Sequence, residues 1–297
     1  MYDIIIVGAG PAGLTAALYA RRANKKTLVL ELNTYGGQIV NATNIENYPG
    51  IRNISGFDFA TNLYDQVKAL GCEVKFEGVV RIEDDYTIIT NKNKYTSKAI
   101  IIATGASNRK LNIPMEDEFV GKGISYCATC DGNFYKDMIV AVNGGGNTAL
   151  EGALYLSDIA KDVYLIHRRD KFRGDNRYLE EIKNKSNIKI ILNSVVSKIN
   201  GYDKVDSIEV TNNDGSIDTI EVDALFIAIG QVPNNSIFKN IIDLDQYGYI
   251  KSIDGVHTSK DKIYVAGDAR VKDLRQLTTA VSDGSVAAMT AIKEMGK

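Results

Sequence analysis

The chain has little of several things: three cysteines and two histidines in 297 residues, and 35 basic against 37 acidic residues for a net charge of −2. Three cysteines exclude a disulfide framework, and cytosolic cysteines are normally reduced unless they are catalytic or redox-sensing. So small a net charge leaves no broad cationic surface for nucleic acid or anionic lipid, which points to small-molecule or protein substrates. No apolar run approaches the ~18 residues that span a membrane. Met1-Tyr2-Asp3 leads straight into an apolar strand with no basic leader or cleavage signal, so a soluble cytoplasmic protein is expected. Zinc is not expected either: Cys127 and Cys130 form half a site, but zinc wants four ligands, and Cys72, His167 and His257 lack a paired spacing. Cys72, where a helix end runs into a strand, reads as a small buried thiol. His257, in Gly255-Val256-His257-Thr258, reads as a loop histidine without a catalytic role.

What is present is a glycine-rich turn written twice. Ile4-Ile5-Ile6-Val7 runs into Gly8-Ala9-Gly10-Pro11-Ala12-Gly13, and Ile139 to Val142 into Asn143-Gly144-Gly145-Gly146-Asn147-Thr148-Ala149. Both fit GxGxxG/A after an apolar strand, the pattern that lets a pyrophosphate approach backbone amides at a helix N-terminus. The length suits two domains, each large enough for a core of its own, and 44% hydrophobic residues is ordinary for globular packing. An alanine-rich helix is expected from Leu14 to Ala23 and a matching one from Leu150 to Ile159, leading to strands Thr27–Leu30 and Val163–Ile166. Later apolar strands end in small turns at Ala103-Thr104-Gly105 and at Gly230. Thr87–Thr90 and Ser207–Val210 read as meander strands beside each parallel sheet. The strand Lys262 to Asp268 and a helix Thr278 to Glu294 have no duplicate, so they are expected to return to the first domain and make the second an insertion.

The register between the copies carries chemistry. Glu31 stands eighteen residues beyond Gly13, and His167 stands eighteen beyond Ala149. A carboxylate there bonds ribose hydroxyls and repels a 2′-phosphate, whereas cations accept that phosphate. Glu31 therefore suits the adenosine ribose of FAD or NAD, and His167, Arg168, Arg169 and Arg173 suggest NADP(H). About a dozen residues before the second turn lies Cys127-Ala128-Thr129-Cys130-Asp131. A dithiol beside two dinucleotide sites implies an electron relay, because flavin can take hydride from a nicotinamide and pass electrons to sulfur. Thiol exchange needs a thiolate to attack and a proton for the departing sulfur, and Asp131 is placed to supply that proton if burial raises its pKa.

In order along the whole chain, GAGPAG with Glu31, the turn Gly36-Gly37-Gln38, Asn47-Tyr48-Pro49-Gly50, the ATG turn at 103–105, CATCDG, GGGNTA, HRRDKFR and AGD with Arg275-Gln276 resemble the low-molecular-weight, bacterial-type thioredoxin reductases. The resemblance implies an α/β fold of two Rossmann-like dinucleotide-binding domains in a three-layer plan. An NADPH and redox-dithiol domain over 113–243 is then inserted into an FAD domain made of 1–112 and 244–297. It implies a homodimer that passes electrons from NADPH through FAD and Cys127/Cys130 to thioredoxin, the substrate dithiol arriving on another protein. Cys130 would face the flavin, Cys127 attack thioredoxin, and Asp131 act as the acid. FAD would be held by Gly8, Gly10, Pro11, Ala12, Gly13, Glu31, Gly37, Gln38, Asn47, Ala103, Thr104, Gly105, Gly267, Asp268, Arg275 and Gln276. Asp268 would touch the ribityl chain, with Arg275 and Gln276 near the ring system. NADPH would be held by Gly144, Gly146, Asn147, Thr148, Ala149, His167, Arg168, Arg169 and Arg173. Because the dithiol shares a domain with the NADPH site and both serve one flavin, a domain movement is expected.

Asn143, Gly152 and Gly174 depart from the family pattern, and all bear on pyridine nucleotide affinity. Three other readings compete. A ferredoxin-dependent relative would have lost the second turn and its arginines, which this chain keeps. A ferredoxin-NADP-type reductase would lack the dithiol, and a non-enzymatic redox sensor would be oxidised only stoichiometrically.

Overall fold

The structure is a computed structural model that describes residues 1–42 and 44–296. The chain divides into two compact units, residues 1–107 with 232–297, and residues 108–231. Elements are numbered along the chain.

In the first unit, β1 (Tyr2–Val7), β2 (Thr27–Glu31), β3 (Glu73–Phe76), β6 (Lys94–Ile102) and β17 (Ile263–Val265) are parallel, and β4 (Val79–Ile82) and β5 (Thr87–Thr90) add an antiparallel edge. The order is β3-β2-β1-β6-β5-β4, with β17 also on β6. A strand buried on both faces must be apolar throughout, and β1 shows how the two faces are used. Ile4 and Ile6 pack with Leu14, Ala16 and Ala17 of α1 (Pro11–Arg22) and with Ala287, Ala288 and Ala291 of α6 (Leu277–Met295), while Ile5 and Val7 pack with Phe238, Ile242 and Ile250. The alanines facing one another on α1 and α6 have no bulk to hold the helices apart, so the two lie in close contact. The remaining helix, α2 (Gly56–Ala69), starts on Ser55, whose hydroxyl accepts from the Asp58 amide.

The chain crosses between units within β7 (Ala106–Asn108) and returns within β16 (Gln231–Pro233). The return therefore falls near 232, not near the expected 243. The reason is packing: Asn235, fully buried, donates to the carbonyls of Gly248 and Ala269 and accepts from the Thr104 hydroxyl, and Phe238 and Ile242 lie in the core of the first unit. The polar Asn234-Asn235-Ser236 stretch, which precedes the expected boundary, is a hydrogen-bonded part of that unit.

In the second unit a parallel sheet runs β11-β10-β9-β15-β8: Ile188–Ile191, Asp162–Ile166, Ile139–Gly144, Ala224–Ala228 and Ile124–Ser125. One face carries α4 (Asn147–Ser157), which buries Leu150, Ala153 and Leu156 against Val140, Val142 and Leu165. The opposite face packs Ala141, Leu225 and Ile166 onto an antiparallel meander of β12 (Ser194–Gly201), β13 (Val205–Asn212) and β14 (Ile217–Glu221). Two further helices are α3 (Ala128–Asp131) and α5 (Asn176–Lys183), the latter capped by Asp175. Among the described residues no helix is long and apolar enough to cross a membrane.

Candidate functional site

The first glycine turn is built by close approach. Gly8 has φ +110°, and a Cβ there would lie 2.3 Å from the Ala103 carbonyl oxygen; only glycine meets both demands. A Cβ on Gly13 would lie 1.9 Å from the Gly8 oxygen, so the third glycine lets α1 seat against the turn. Pro11 opens α1, whose N-cap Gly10 offers no side-chain cap, and the first amides of the helix are left for an anion. Glu31, at the end of β2, accepts from the Ala9 amide at 2.8 Å and the Asn33 amide at 3.1 Å, which braces the turn with a carboxylate.

The other residues expected to share this site gather in the same unit. Gly37, with φ +61°, comes against Gly10, and Gln38 is exposed in the short turn that follows. Gly267, with φ +74°, comes against Ala12. Thr104 is tied to Asn234 and Asn235. Asn47 donates to Gln276 at 3.3 Å, and Gln276 is the N-cap of α6 in a reciprocal box with Thr279.

Among the described residues four buried polar atoms of this unit have no hydrogen-bond partner: Oγ1 of Thr15, Oγ of Ser97, Oδ1 of Asp268 and Nε of Arg275. Asp268 is held above the ordinary carboxylate pKa by burial, with Lys272, 3.7 Å away, pulling the other way. The Arg275 guanidinium stacks 4.1 Å over the Tyr249 ring. Beneath them lies a group that sequence reading missed. Asp283 accepts from the Gly267 amide, from Arg270 twice at 2.9 Å and from Lys272 at 3.0 Å. Burial would raise its pKa, but the two cations hold it below the usual value. Three charges spread over fourteen positions carry no motif spacing; the signal available was an acid in the alanine-rich face of a helix.

In the second unit a Cβ on Gly144 would lie 2.3 Å from the Ala228 oxygen, matching Gly8 and Ala103. Gly146, Asn147, Thr148 and Ala149 form the start of α4, again without a side-chain cap, and nothing stands within 4 Å of where a Cβ on Gly146 would be. Asn147 turns its side chain aside to accept from the Asp175 amide. The setting of His167 disfavours its charged form. Its ring is buried directly against Gly145, stacks on Phe172 at 5.2 Å and meets the Lys171 carbonyl at 3.1 Å. Burial lowers its pKa, the Lys171 carbonyl pulls the other way, and Arg173, Arg168 and Arg169 add to the lowering. Arg168, Arg169 and Arg173 are exposed, and none has an ion-pair or side-chain hydrogen-bond partner among the described residues. They are the exposed cations that follow this turn in the chain.

The two glycines that depart from the family pattern have local reasons. A Cβ on Gly174 would lie 2.4 Å from Leu150 Cδ1, and one on Gly152 would lie 3.2 Å from Ala128 Cβ, where the dithiol helix rests on α4. Asn143 is buried at the end of β9, paired in register with Ile166 and Ile227.

The cysteines themselves are joined: Cys127 and Cys130 form a disulfide, with Cα atoms 5.3 Å apart. Both are half-buried at the start of α3. Asp131 is also half-buried, and burial pushes its carboxyl above the usual carboxylate range while the Ser125 hydroxyl, donating to Oδ2 at 2.6 Å, pulls it down. Ser125 was not foreseen. Cys72 differs in kind: it is buried, its thiol directed at the Thr27 carbonyl and pushed up to about 11 by burial.

Comparison with known proteins agrees with this arrangement. The family model for pyridine nucleotide-disulphide oxidoreductases matches residues 2–284. A thioredoxin reductase of Mycoplasma genitalium is 43% identical over 295 residues, covering 97% of this chain and 94% of the relative, and one of Treponema pallidum is 42% identical, covering 98% and 96%. The crystal structure of the thioredoxin reductase from Streptococcus pyogenes superposes with a TM-score of 0.95 at 38% identity, over 100% of this chain and 98% of that one.

Proposed function

Because the chain belongs to the pyridine nucleotide-disulphide oxidoreductase family, we propose that it is a thioredoxin-disulfide reductase that uses NADPH and FAD. The observation that carries the reading is the Cys127–Cys130 disulfide, placed in one unit with an arginine-flanked glycine turn while the other unit holds a carboxylate-flanked turn. The first unit fits FAD: the turn at Gly8, Gly10 and Gly13 admits a pyrophosphate, Glu31 has acceptor capacity left for ribose hydroxyls, and Asp268 Oδ1 and Arg275 Nε are a buried acceptor and a buried donor that a polyol and a flavin would satisfy. The second unit fits NADPH, with Gly144, Gly146 and Ala149 for the pyrophosphate and three free guanidinium groups for a 2′-phosphate.

FAD, when bound, supplies the chemistry that takes hydride from NADPH and delivers electrons to a disulfide. The chain does the rest. Cys130 would be the cysteine that faces bound flavin, and Cys127 would be the thiolate that attacks the thioredoxin disulfide. Asp131, whose pKa burial raises against the pull of the Ser125 hydroxyl, gives its proton to a departing sulfur. The dithiol and NADPH groups lie in one unit and the FAD groups in the other, and a movement of one unit against the other between the two transfers is part of this reading. The reading includes a cytoplasmic homodimer. An apolar groove lined by Tyr19 of α1 and by Val286, Met289 and Ile292 of α6 supports the dimer, and a monomer in sedimentation at micromolar concentration would overturn it.

The test is an anaerobic titration of the purified yellow protein with NADPH, NADH and reduced ferredoxin in turn, followed by oxidised thioredoxin. NADPH is expected to bleach the flavin, and thioredoxin to restore the colour in wild type but not in Cys127→Ser. Failure of NADPH to bleach, or unchanged turnover in Cys127→Ser, overturns the proposal.

A further inference from the structure

The Ser125 hydroxyl sits at a junction. It lies at the end of β8, held in register opposite Phe226. Its Oγ is 2.6 Å from Asp131 Oδ2 and 3.3 Å from the Cys127 carbonyl oxygen, and it accepts from the Cys127 amide at 3.0 Å. A serine has one proton to donate, so it can serve only one of those two acceptors at a time. Which one depends on Asp131. A carboxylate demands the proton, because a charged acceptor makes the stronger bond. A protonated carboxyl can instead donate to the second lone pair of Oγ, which frees the serine proton for the Cys127 carbonyl.

We propose that Ser125 is a positioning residue that couples the protonation of Asp131 to the backbone of Cys127 by rotation of a single hydroxyl. The inference rests on the acid role given to Asp131 above. Two-electron reduction of the Cys127–Cys130 bond, with electrons that bound FAD would supply, breaks the S–S bond and leaves two thiolates. One takes the proton of Asp131, giving one thiol and one thiolate, and Ser125 turns its hydroxyl to the new carboxylate. After the Cys127 thiolate has displaced one sulfur of the partner disulfide, the Cys130 thiol returns its proton to Asp131 and attacks the Cys127 sulfur. The Cys127–Cys130 bond re-forms and the second partner sulfur leaves as thiolate. The proton thus cycles between Asp131 and Cys130, and Ser125 follows it.

The surroundings leave this task to Ser125. From the turn Gly132–Tyr135, the Tyr135 phenol faces Asp131, its own pKa raised by burial first and then by that carboxylate. From α4, Tyr155 and Leu156 pack on Gly132 beside it. Among the described residues no cation pairs with Asp131, and the one group that stabilises its charged form is the Ser125 hydroxyl. Loss of that donor therefore favours the protonated acid.

The experiment is the pH dependence of iodoacetamide alkylation of Cys127 in the FAD-loaded protein reduced with dithiothreitol, read by mass spectrometry at the Cys127 peptide. Cys72, buried and with a high pKa, does not compete. In wild type the profile is expected to contain an inflection that disappears in Asp131→Asn. Ser125→Ala moves that inflection up by about one pH unit, Ser125→Thr returns it, and Ser125→Ala adds nothing in the Asp131→Asn background. Ser125→Gly is the second hydroxyl-free variant should alanine disturb the strand. If Asp131→Asn alters the profile and both hydroxyl-free variants do not, the coupling is wrong while the acid stands. A shift by Ser125→Ala that persists in Asp131→Asn means that the hydroxyl acts on Cys127 alone, which also overturns it. An Asp131→Asn profile identical to wild type removes the acid itself, and the coupling with it.

Discussion

The two glycine turns are one backbone solution with two chemical endings. In each, the first glycine comes so close to a strand-end carbonyl, Ala103 or Ala228, that a Cβ would sit 2.3 Å from its oxygen. The differences lie around that constant. The first turn has Gly8 at φ +110°, a third glycine pressed on Gly8, and a carboxylate bonded to the Ala9 amide. The second has Ala149 where the first has Gly13, and a buried histidine against the middle glycine, its pKa lowered by burial, with three exposed arginines after it. The lesson is that the motif specifies a close backbone approach, and the charge of the residue eighteen places on can be read only after its burial is known.

Breaking each turn in the same way should give different proteins. Gly8→Ala forces a side chain into a left-handed backbone and into the Ala103 carbonyl, a cost of at least about 2 kcal/mol concentrated where the flavin nucleotide would lie. The expected outcome is colourless, poorly stable protein. Gly144→Ala should leave the protein yellow and reducible by dithionite, yet unbleached by NADPH. Absorbance spectra of the two variants decide it, and a yellow, NADPH-responsive Gly8→Ala would undo the assignment of the first turn.

A smaller change sharpens the contrast in charge. Arg168→Ala combined with Arg169→Ala removes contacts worth about 1.5–3 kcal/mol each if they hold a phosphate, so KM for NADPH should rise at least about tenfold with kcat nearly unchanged, while KM for NADH stays where it was. Equal losses for both nucleotides would mean that the arginines do not read the 2′-phosphate. Smaller again is Gly174→Ala, whose methyl would press on Leu150 at the start of α4. Overpacking of this kind costs on the order of 1 kcal/mol, visible as a fall of a few degrees in Tm and a modest rise in KM for NADPH.

These contrasts also show which parts of the molecule could be read from the chain. Turns, strands and the dithiol were legible because each needs particular residues at fixed spacing: glycine where a carbonyl comes within reach of a Cβ, apolar runs where a parallel strand is covered on both sides. The helices α1, α4 and α6 begin one to three residues from where periodicity put their starts, since caps such as Gly10, Gly146 and Gln276 use backbone or mixed capping with no strong sequence signal. What stayed hidden were residues defined by long-range neighbours. Ser125 matters through Asp131, Asp283 through Arg270 and Lys272, and Asn235 through Gly248 and Ala269. The dry setting of His167 stayed hidden too, because only the packing of Gly145 against its ring shows it.

The first unit also has a part without counterpart in the second, the returning β17 and α6, and a histidine fastens it. His257 meets Asp254 at 2.7 Å and Glu294 of α6 at 2.9 Å, and Tyr264 of β17 donates to the same Glu294. The bonds to Asp254 and Glu294 raise the pKa of His257 above its ordinary value. A group whose folded pKa is raised binds its proton more tightly when folded, so its contribution is fully present below about pH 6.5, the unfolded value, and fades as pH climbs through the folded one. His257→Gln should therefore lower Tm at pH 6 by more than at pH 9, and the difference should shrink in high salt because the histidine is partly exposed. The effect is expected to be the smallest of the set, and to appear in unfolding of the first unit while nucleotide binding by Arg168 and Arg169 is untouched. Equal destabilisation at both pH values would mean that the ring acts by packing on Tyr264 and that its charge contributes nothing to the fastening.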